Sequence, residues 1–254
     1  MIELNPRQRE IVERLHSAGH QTIQELSLHF NVATQTLRRD INALCDAGLA
    51  RRVHGGVAPP SNPVNLNFHA RRILNEGIKR AIGRKTAGMI PNGASVLLGI
   101  GSTVHYVAEA LLNHTDLMIV TNNLDVASIL CAASTAEVHV IGGVLRGEDR
   151  DMVGERAMRD LASVVADFGI IGAGALDPTH GIMDFKRSDA DMNCAILQNS
   201  RRTILVSDSS KWDKHAHFRV SGFEAVDVFV SDDHAMSRHL NATAPIELAR
   251  CDPL

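Results

Sequence analysis

The sequence predicts an α/β protein of two domains: a winged helix-turn-helix module followed by a larger, mostly parallel sheet covered by helices. Three observations predict it. Between Ile23 and Asp46, two stretches of helical apolar spacing are separated only by the tight connection Asn31-Val32-Ala33. Prolines 59, 60 and 63 then interrupt the chain where neither a helix nor a central strand can continue. Beyond Phe68, short apolar runs alternate with helix-length segments, the rhythm of a parallel sheet buried on both faces. The expected division is 1–57 for the first domain, 58–67 for a linker and 68–254 for the second.

Taken in order, Pro6 to about Ala18 reads as a first helix, with Ile11, Val12 and Leu15 apolar, Pro6 suited to its start and Gly19 to its end. Ile23, Leu26 and Phe30 mark the second. The third, from Thr34, has an apolar back of Leu37, Ile41, Leu44 and Gly48 and a polar front of Gln35, Arg38, Arg39, Asn42 and Asp46. Thr34 is expected to cap it, and Gly48 to supply a left-handed stop. Arginine forks match guanine edges and a glutamine amide matches adenine, so the front beginning Gln35, Thr36, Arg38 and Arg39 suits a recognition helix. Leu49 to Val57 reads as a small strand pair charged by Arg51 and Arg52, whose tip His54-Gly55-Gly56 can approach a phosphate backbone closely.

QTLRRDINAL followed by RRVHGG resembles the winged helix-turn-helix of DeoR-type bacterial transcriptional regulators. The resemblance implies double-stranded operator DNA as the ligand, with the helix from Thr34 reading it and the wing near Gly55 and Gly56 alongside. Charge agrees only locally. Residues 1–57 carry seven arginines against six acidic side chains, whereas 34–57 carry four arginines against two aspartates, in a chain of net charge −3. Non-specific binding is therefore expected to be modest and sensitive to salt.

In the second domain, Phe68 to about Met89 reads as helical. Strands are expected at 95–100, 118–121, 137–141, 168–172, 203–207 and 226–231, with helices at 104–112, 126–132, 155–164 and 189–199. In such sheets ligands bind beyond the carboxyl ends of the strands, and there the unusual residues gather. Gly101-Ser102-Thr103 follows the first strand and opens a helix, so its amides and hydroxyls suit a phosphate. Thr121-Asn122-Asn123, Gly142-Gly143, Gly172-Ala173-Gly174 and Ser207 to Lys211 follow the next four, with Lys211 a fixed positive charge for a dianion. Each cluster alone reads more readily as a turn; together they suit one crevice.

TNN, IGG, DFGIIGAGALD and SDSSK resemble the effector domain of the same DeoR family, which implies a fold like that of ribose-phosphate isomerases and a phosphorylated sugar or polyol as effector. GIGSTV and EALLNHTDLMIVTNNLDVA look most like the glycerol-3-phosphate repressors within it. By that likeness Gly101, Ser102 and Thr103 would hold phosphate, with Asn122, Gly143 and Lys211 around the rest of the effector. Gly99 departs from the aspartate of many relatives, Lys186 and Asp191 reverse the charges expected in the glycerol-3-phosphate group, and Trp212-Asp213 replaces a more usual Phe-Gly, so a shifted pocket polarity is expected.

Other classes are set aside. Cys45, Cys131, Cys194 and Cys251 lie far apart without metal or disulfide spacing. His16 and His20 flank the helix-stopping Gly19, and His215 and His217 fall in a loop-like stretch, so neither metal nor cofactor is expected. No run approaches the ~20 apolar residues that span a bilayer, and a cytoplasmic protein with no membrane partner is expected. The rival reading, a sugar-phosphate isomerase with a DNA-binding appendage, needs a general base; the acidic cluster Glu148, Asp149 and Asp151 lies among Arg146, Gly147 and Arg150 and reads as a charged surface loop. The expectation is a non-enzymatic repressor of a sugar or polyol catabolic operon, a homodimer or homotetramer released from DNA by a phosphorylated metabolite.

Overall fold

The computed structural model describes residues 4–60, 68–133, 135–233, 240 and 246–251. They form two compact units, 1–75 and 76–254. Residues 68–75, expected in the second domain, group with the first, because Ile73 and Leu74 pack on its apolar core. The expected linker residues Ser61, Asn62 and Pro63 lie outside the described residues.

In the first unit, α1 (Pro6–Ala18) starts from a reciprocal capping box of Asn5 and Gln8 and ends at Gly19. A two-residue strand the sequence did not announce, β1 (Gln21–Thr22), precedes α2 (Ile23–Phe30), whose own box joins Thr22 to Glu25. Asn31 ends α2 in the left-handed conformation at φ 49°. Helix α3 spans Thr34–Asp46 and ends as expected: Gly48 has φ +72°, its N–H reaches Cys45, and the Leu49 N–H reaches Leu44 at 2.8 Å. The hairpin β2 (Arg51–Val53) and β3 (Gly56–Ala58) forms the wing, with β1 pairing on the far side of β3. Ile11, Leu15, Leu26, Leu37, Ile41, Leu44 and Val57 make the shared core, each worth roughly 1.5–3 kcal/mol on burial. Helix α4 (Phe68–Ile73) closes the unit.

The helix expected over 68–89 is broken. Asn75 takes φ 54°, and α5 (Glu76–Ala87) begins afresh. The second unit follows as β4 (Ser95–Leu98), α6 (Ser102–Leu111), β5 (Met118–Thr121), α7 (Leu124–Leu130), β6 (Glu137–Val140), the hairpin β7 (Val144–Arg146) and β8 (Asp151–Val153), and α8 (Glu155–Ala162). After these come β9 (Ala166–Ile171), β10 (Ala175–Asp177), β11 (Gly181–Asp184), α9 (Arg187–Gln198), β12 (Ser200–Val206), β13 (Phe218–Ser221), β14 (Val228–Ser231) and β15 (Glu247–Arg250).

Seven of the strands form one parallel sheet, ordered β15-β14-β12-β9-β4-β5-β6. Alternate residues feed two cores: Val96, Leu98, Ile119, Ile170, Ile204 and Val206 meet α5, α6 and α7, while Leu97, Val120, Ile171 and Leu205 meet α8 and α9. Gly83 lets α5 lie against α6, since a Cβ there would stand 2.4 Å from the Tyr106 carbonyl. A small antiparallel sheet, β10-β11-β13, packs beside α9. From β4 the chain first builds outward through β5 and β6, then returns to β9 and builds the other way. The crevice at the carboxyl ends of β4 and β9 is thus the topological switch point, where open α/β sheets take their ligands.

Candidate nucleic-acid interface and anion pocket

The expected cap on α3 is not made. Ala33 occupies the cap position, Thr34 is already the first helical residue, and no side chain caps the helix. The Thr36 N–H turns back to the Ala33 carbonyl at 2.9 Å, and the amides of Thr34 and Gln35, with the helix dipole, suit an external anion. Thr34, Gln35, Arg38, Arg39 and Asn42 are exposed and Thr36 is half-buried, so the polar front faces outward.

Asp40, on the same helix, is buried. Its carboxylate accepts from Arg7 Nε at 2.7 Å, Gln8 Nε2 at 3.0 Å and Asn5 Nδ2 at 3.4 Å, fastening the start of α1 to α3. The negative charge nearest Arg38 and Arg39 is therefore turned inward and satisfied. No local pattern announces this, since its partners lie more than thirty residues upstream.

The wing is tied to the recognition helix where Arg52 Nη2 donates to Asn42 Oδ1, and Arg51 Nε donates to the Pro59 carbonyl at 3.1 Å. Burial raises the pKa of the Cys45 thiol, against the opposing pull of nearby Arg52. Arg51, Arg52, His54 and Gly55 are exposed, Gly55 turning the hairpin at φ +78°. Gly56 corrects the expectation of a second glycine at the tip: it is buried, and a Cβ on it would stand 2.2 Å from the Gln21 carbonyl. Its lack of a side chain is what lets β1 close on β3.

In the second unit, β4 leads through Gly99 and Ile100 into Gly101, which enters α6 at φ +131° with no side-chain cap. Ser102 and Thr103 are buried in the first turn. Thr121 pairs with Leu98, so Asn122 stands beside this loop on the next strand. Its side-chain nitrogen donates to the Met152 carbonyl at 3.0 Å, while its oxygen is buried with no hydrogen-bond partner among the described residues, an unmet acceptor that a ligand hydroxyl or amide would satisfy. Gly172 marks the junction with β9: a Cβ there would stand 3.4 Å from the Ile100 carbonyl.

Lys211 lies on a short 3₁₀ turn, Ser209–Lys211, beyond the end of β12 and is half-buried. Since β12 is two strands from β4, the two strand ends are about 10 Å apart on the same edge of the sheet. Gly143, expected beside the effector, is closely packed. A Cβ on it would stand 2.6 Å from the Val153 carbonyl, so it closes β6 against the β7–β8 hairpin.

The acidic loop is not a solvated surface. Glu148 is exposed, but Asp149 and Asp151 are buried. Arg146 holds Asp151 in a two-pronged contact, 3.0 and 2.5 Å, reaches Asp189 at 2.7 Å and donates to Ser188 Oγ at 3.0 Å. Lys186 Nζ donates to Asp149 at 2.8 Å. Burial pushes the Asp151 carboxyl above its ordinary pKa, with Arg146 pulling the other way; burial would lower Lys186, but its bond to Asp149 outweighs this and holds it above its ordinary range. Sequence reasoning missed this network because its members come from the β7–β8 hairpin and from α9, about forty residues apart. The Lys186 and Asp149 pair also explains one reversed charge: the lysine is a partner for a buried carboxylate.

Comparison with known proteins agrees with both halves of this description. A family model described as "DeoR-like helix-turn-helix domain" matches residues 7–62, and one described as "DeoR C terminal sensor domain" matches residues 74–233. The chain is 38% identical over 222 residues to the glycerol-3-phosphate regulon repressor of Escherichia coli K12, covering 87% of this chain and 88% of that one. It is 34% identical over 229 residues to the transcriptional repressor CsqR of the same organism, covering 90% and 88%, and 31% identical over 246 residues to the transcriptional repressor AccR of Agrobacterium fabrum, covering 96% and 95%. Among solved structures, ribose 5-phosphate isomerase A of Methanocaldococcus jannaschii aligns with a TM-score of 0.41 at 14% identity over 54% of this chain and 55% of that one.

Proposed function

The chain belongs to the DeoR family of transcriptional regulators, and from that premise we propose that it represses a sugar or polyol catabolic operon and leaves its operator when a phosphorylated metabolite, glycerol-3-phosphate or a sugar phosphate, occupies the second unit. The observation that carries the reading is where two helices without a side-chain cap begin, α3 behind exposed arginines and α6 at the switch point of the sheet; α8 and α9 also start uncapped, so position rather than the open turn marks these two. At α3 the open amides stand among Gln35, Arg38 and Arg39, suited to a phosphate backbone and base edges. At α6 they stand at the switch point of the sheet beside Ser102, Thr103 and the unsatisfied oxygen of Asn122, suited to one phosphate group and a neighbouring hydroxyl.

On this reading Gly101, Ser102 and Thr103 receive the phosphate, Lys211 neutralises it, and Asn122 orients the carbon chain; Gly143 shapes the wall. Arg51, Arg52 and His54 follow the DNA backbone from the wing. The chain works in the cytoplasm as a homodimer or homotetramer, with no membrane partner and no cofactor. It performs no catalysis: near the strand ends Asp149, Asp151 and Asp189 are engaged by Lys186 and Arg146, Asp184 accepts from Asn193, Asp208 from Ser210 and Asp232 from Ser209, so each of these carboxylates is committed to a structural partner and none stands as a free base for enediolate chemistry.

A thermal-shift screen of phosphorylated metabolites tests the reading, since a ligand at a hundred times its dissociation constant stabilises its unit by ~2.7 kcal/mol. The stabilising metabolite is expected to weaken operator binding, and the operator to weaken metabolite binding by the same factor. Ser102→Asp places a carboxylate against the phosphate and is expected to abolish the shift while sparing operator binding. A metabolite shift that survives Ser102→Asp undiminished moves the anion site elsewhere.

A further inference from the structure

The second unit carries an apolar sheet edge that none of the roles above uses. Strand β6 ends the seven-stranded sheet on one side and pairs with β5 alone among the described residues. Of the six large apolar side chains exposed among those residues, Val140 lies on this strand and Val144 and Leu145 follow directly after it. A groove lined by Met118, Val120, His139, Ile141 and Val164 runs beside it. An open, partly apolar edge is a template for another strand, and soluble proteins cover or blunt such edges.

The edge is complementary to itself. The N–H groups of Glu137 and Ile141 donate inward to Leu117 and Thr121, both at 2.9 Å. The odd-numbered residues of the strand therefore face β5, and Val138 and Val140 turn their N–H and C=O outward. We propose that a second copy of this chain lays its β6 antiparallel to this one about a two-fold axis at Val138. In that register the two Val138 residues exchange both backbone hydrogen bonds, and each Glu137 falls directly opposite the partner's His139 in the closely spaced kind of pair. Glu137 and His139 are exposed on one face and within one strand already attract each other at 2.8 Å, so the two-fold doubles that attraction across the joint. Reversal of direction also carries the Val144 and Leu145 hairpin, at the carboxyl edge of one sheet, toward the amino edge of the other, where Val164 lines the groove and Val165 is exposed. The contact is isologous and closes, giving a pair of DNA-binding modules, and it stands or falls independently of which metabolite is bound.

Sedimentation of the full chain tests it. Wild type is expected to associate, and Val144→Asp combined with Leu145→Asp to lose one level of assembly, halving the mass, with far-UV circular dichroism unchanged. Glu137→Lys is expected to weaken association about tenfold and Glu137→Lys with His139→Glu to restore it, a rescue that misfolding does not produce. In a Cys131→Ser background, Val138→Cys is expected to yield a disulfide-linked dimer on oxidation, because directly opposed residues fall within disulfide reach. A monomeric wild type, an unchanged mass in the double aspartate variant, or no cross-link at Val138→Cys overturns the proposal.

Discussion

Replacing Arg146 by methionine keeps an unbranched stem and removes the guanidinium that serves two buried carboxylates. Asp151 is 1% exposed and loses both prongs of its contact, at 3.0 and 2.5 Å, while Asp189, 11% exposed, loses one at 2.7 Å. Breaking a buried pair by removing one partner costs about 3–5 kcal/mol, because a charge is left uncompensated away from water. The Asp151 deficit alone sets that scale, and Asp189, nearer to solvent, adds less. For a unit of this size the melting temperature should fall by about 6–20 °C. Trp212, the single tryptophan, packs on Phe223 and Phe229 in the second unit and reports its unfolding by fluorescence.

The pH dependence has a definite sign. Burial raises the Asp151 carboxyl and Arg146 opposes it, so the substitution raises it further above the unfolded value. Between those two values the native variant holds a proton that the unfolded chain has released, and its stability therefore rises as pH falls through the native pKa. The deficit relative to wild type should be largest near pH ~8 and shrink toward pH ~5, by about 1.4 kcal/mol for each pH unit of added displacement. Urea titrations at both ends check this. A deficit equal at the two values, or below about 1 kcal/mol at the upper one, refutes the argument that Arg146 stabilises by neutralising Asp151.

Arg39→Ala should weaken operator binding by ~1–3 kcal/mol if it reads a base and leave metabolite binding intact; an unchanged gel-shift affinity contradicts the placement of α3 in the groove. Gly56→Ala drives a methyl group to within 2.2 Å of the Gln21 carbonyl, so β1 must part from β3 at a cost of ~1–3 kcal/mol, seen as a lower melting temperature of the first unit; a wild-type melt contradicts that tight approach. Lys211→Ala should retain operator binding and require about tenfold to a hundredfold more metabolite for release, the worth of one charged hydrogen bond. An unaltered dose response removes Lys211 from the pocket.

What was legible in the sequence was local in cause. Helix α1 begins at Pro6 and ends at Gly19 as read, because a proline and a glycine act on the backbone where they stand. The six strands read from apolar runs all exist in the parallel sheet; five are largely buried and leave a near-continuous apolar run as their trace, while the edge strand β6 shows only the alternation of Val138 and Val140 with Glu137 and His139. The two-residue β1 left no such trace, nor did the three- and four-residue strands of the β7–β8 hairpin and of the small antiparallel sheet. Nothing in their composition separates them from loops.

The candidate site divides the same way. Glycines, hydroxyls and an asparagine at strand ends signal themselves by position, and the topology does bring Gly101 to Thr103, Asn122 and Lys211 to one edge of the sheet. Charged residues do not signal themselves, because whether a carboxylate is solvated or buried depends on a partner. Asp40 waits for Arg7, Asp149 for Lys186, and Arg146 for Asp189, each across more than thirty residues. The β7–β8 hairpin and the start of α9 meet only because the chain, having built outward to β6, returns past β4 to β9. A reading that orders the strands from their connections before classing any charge as surface would have placed Asp151 beside Asn122, whose amide reaches both Asp151 and the Met152 carbonyl. The arginine that neutralises Asp151 would then have read as a support of the wall of the proposed anion pocket.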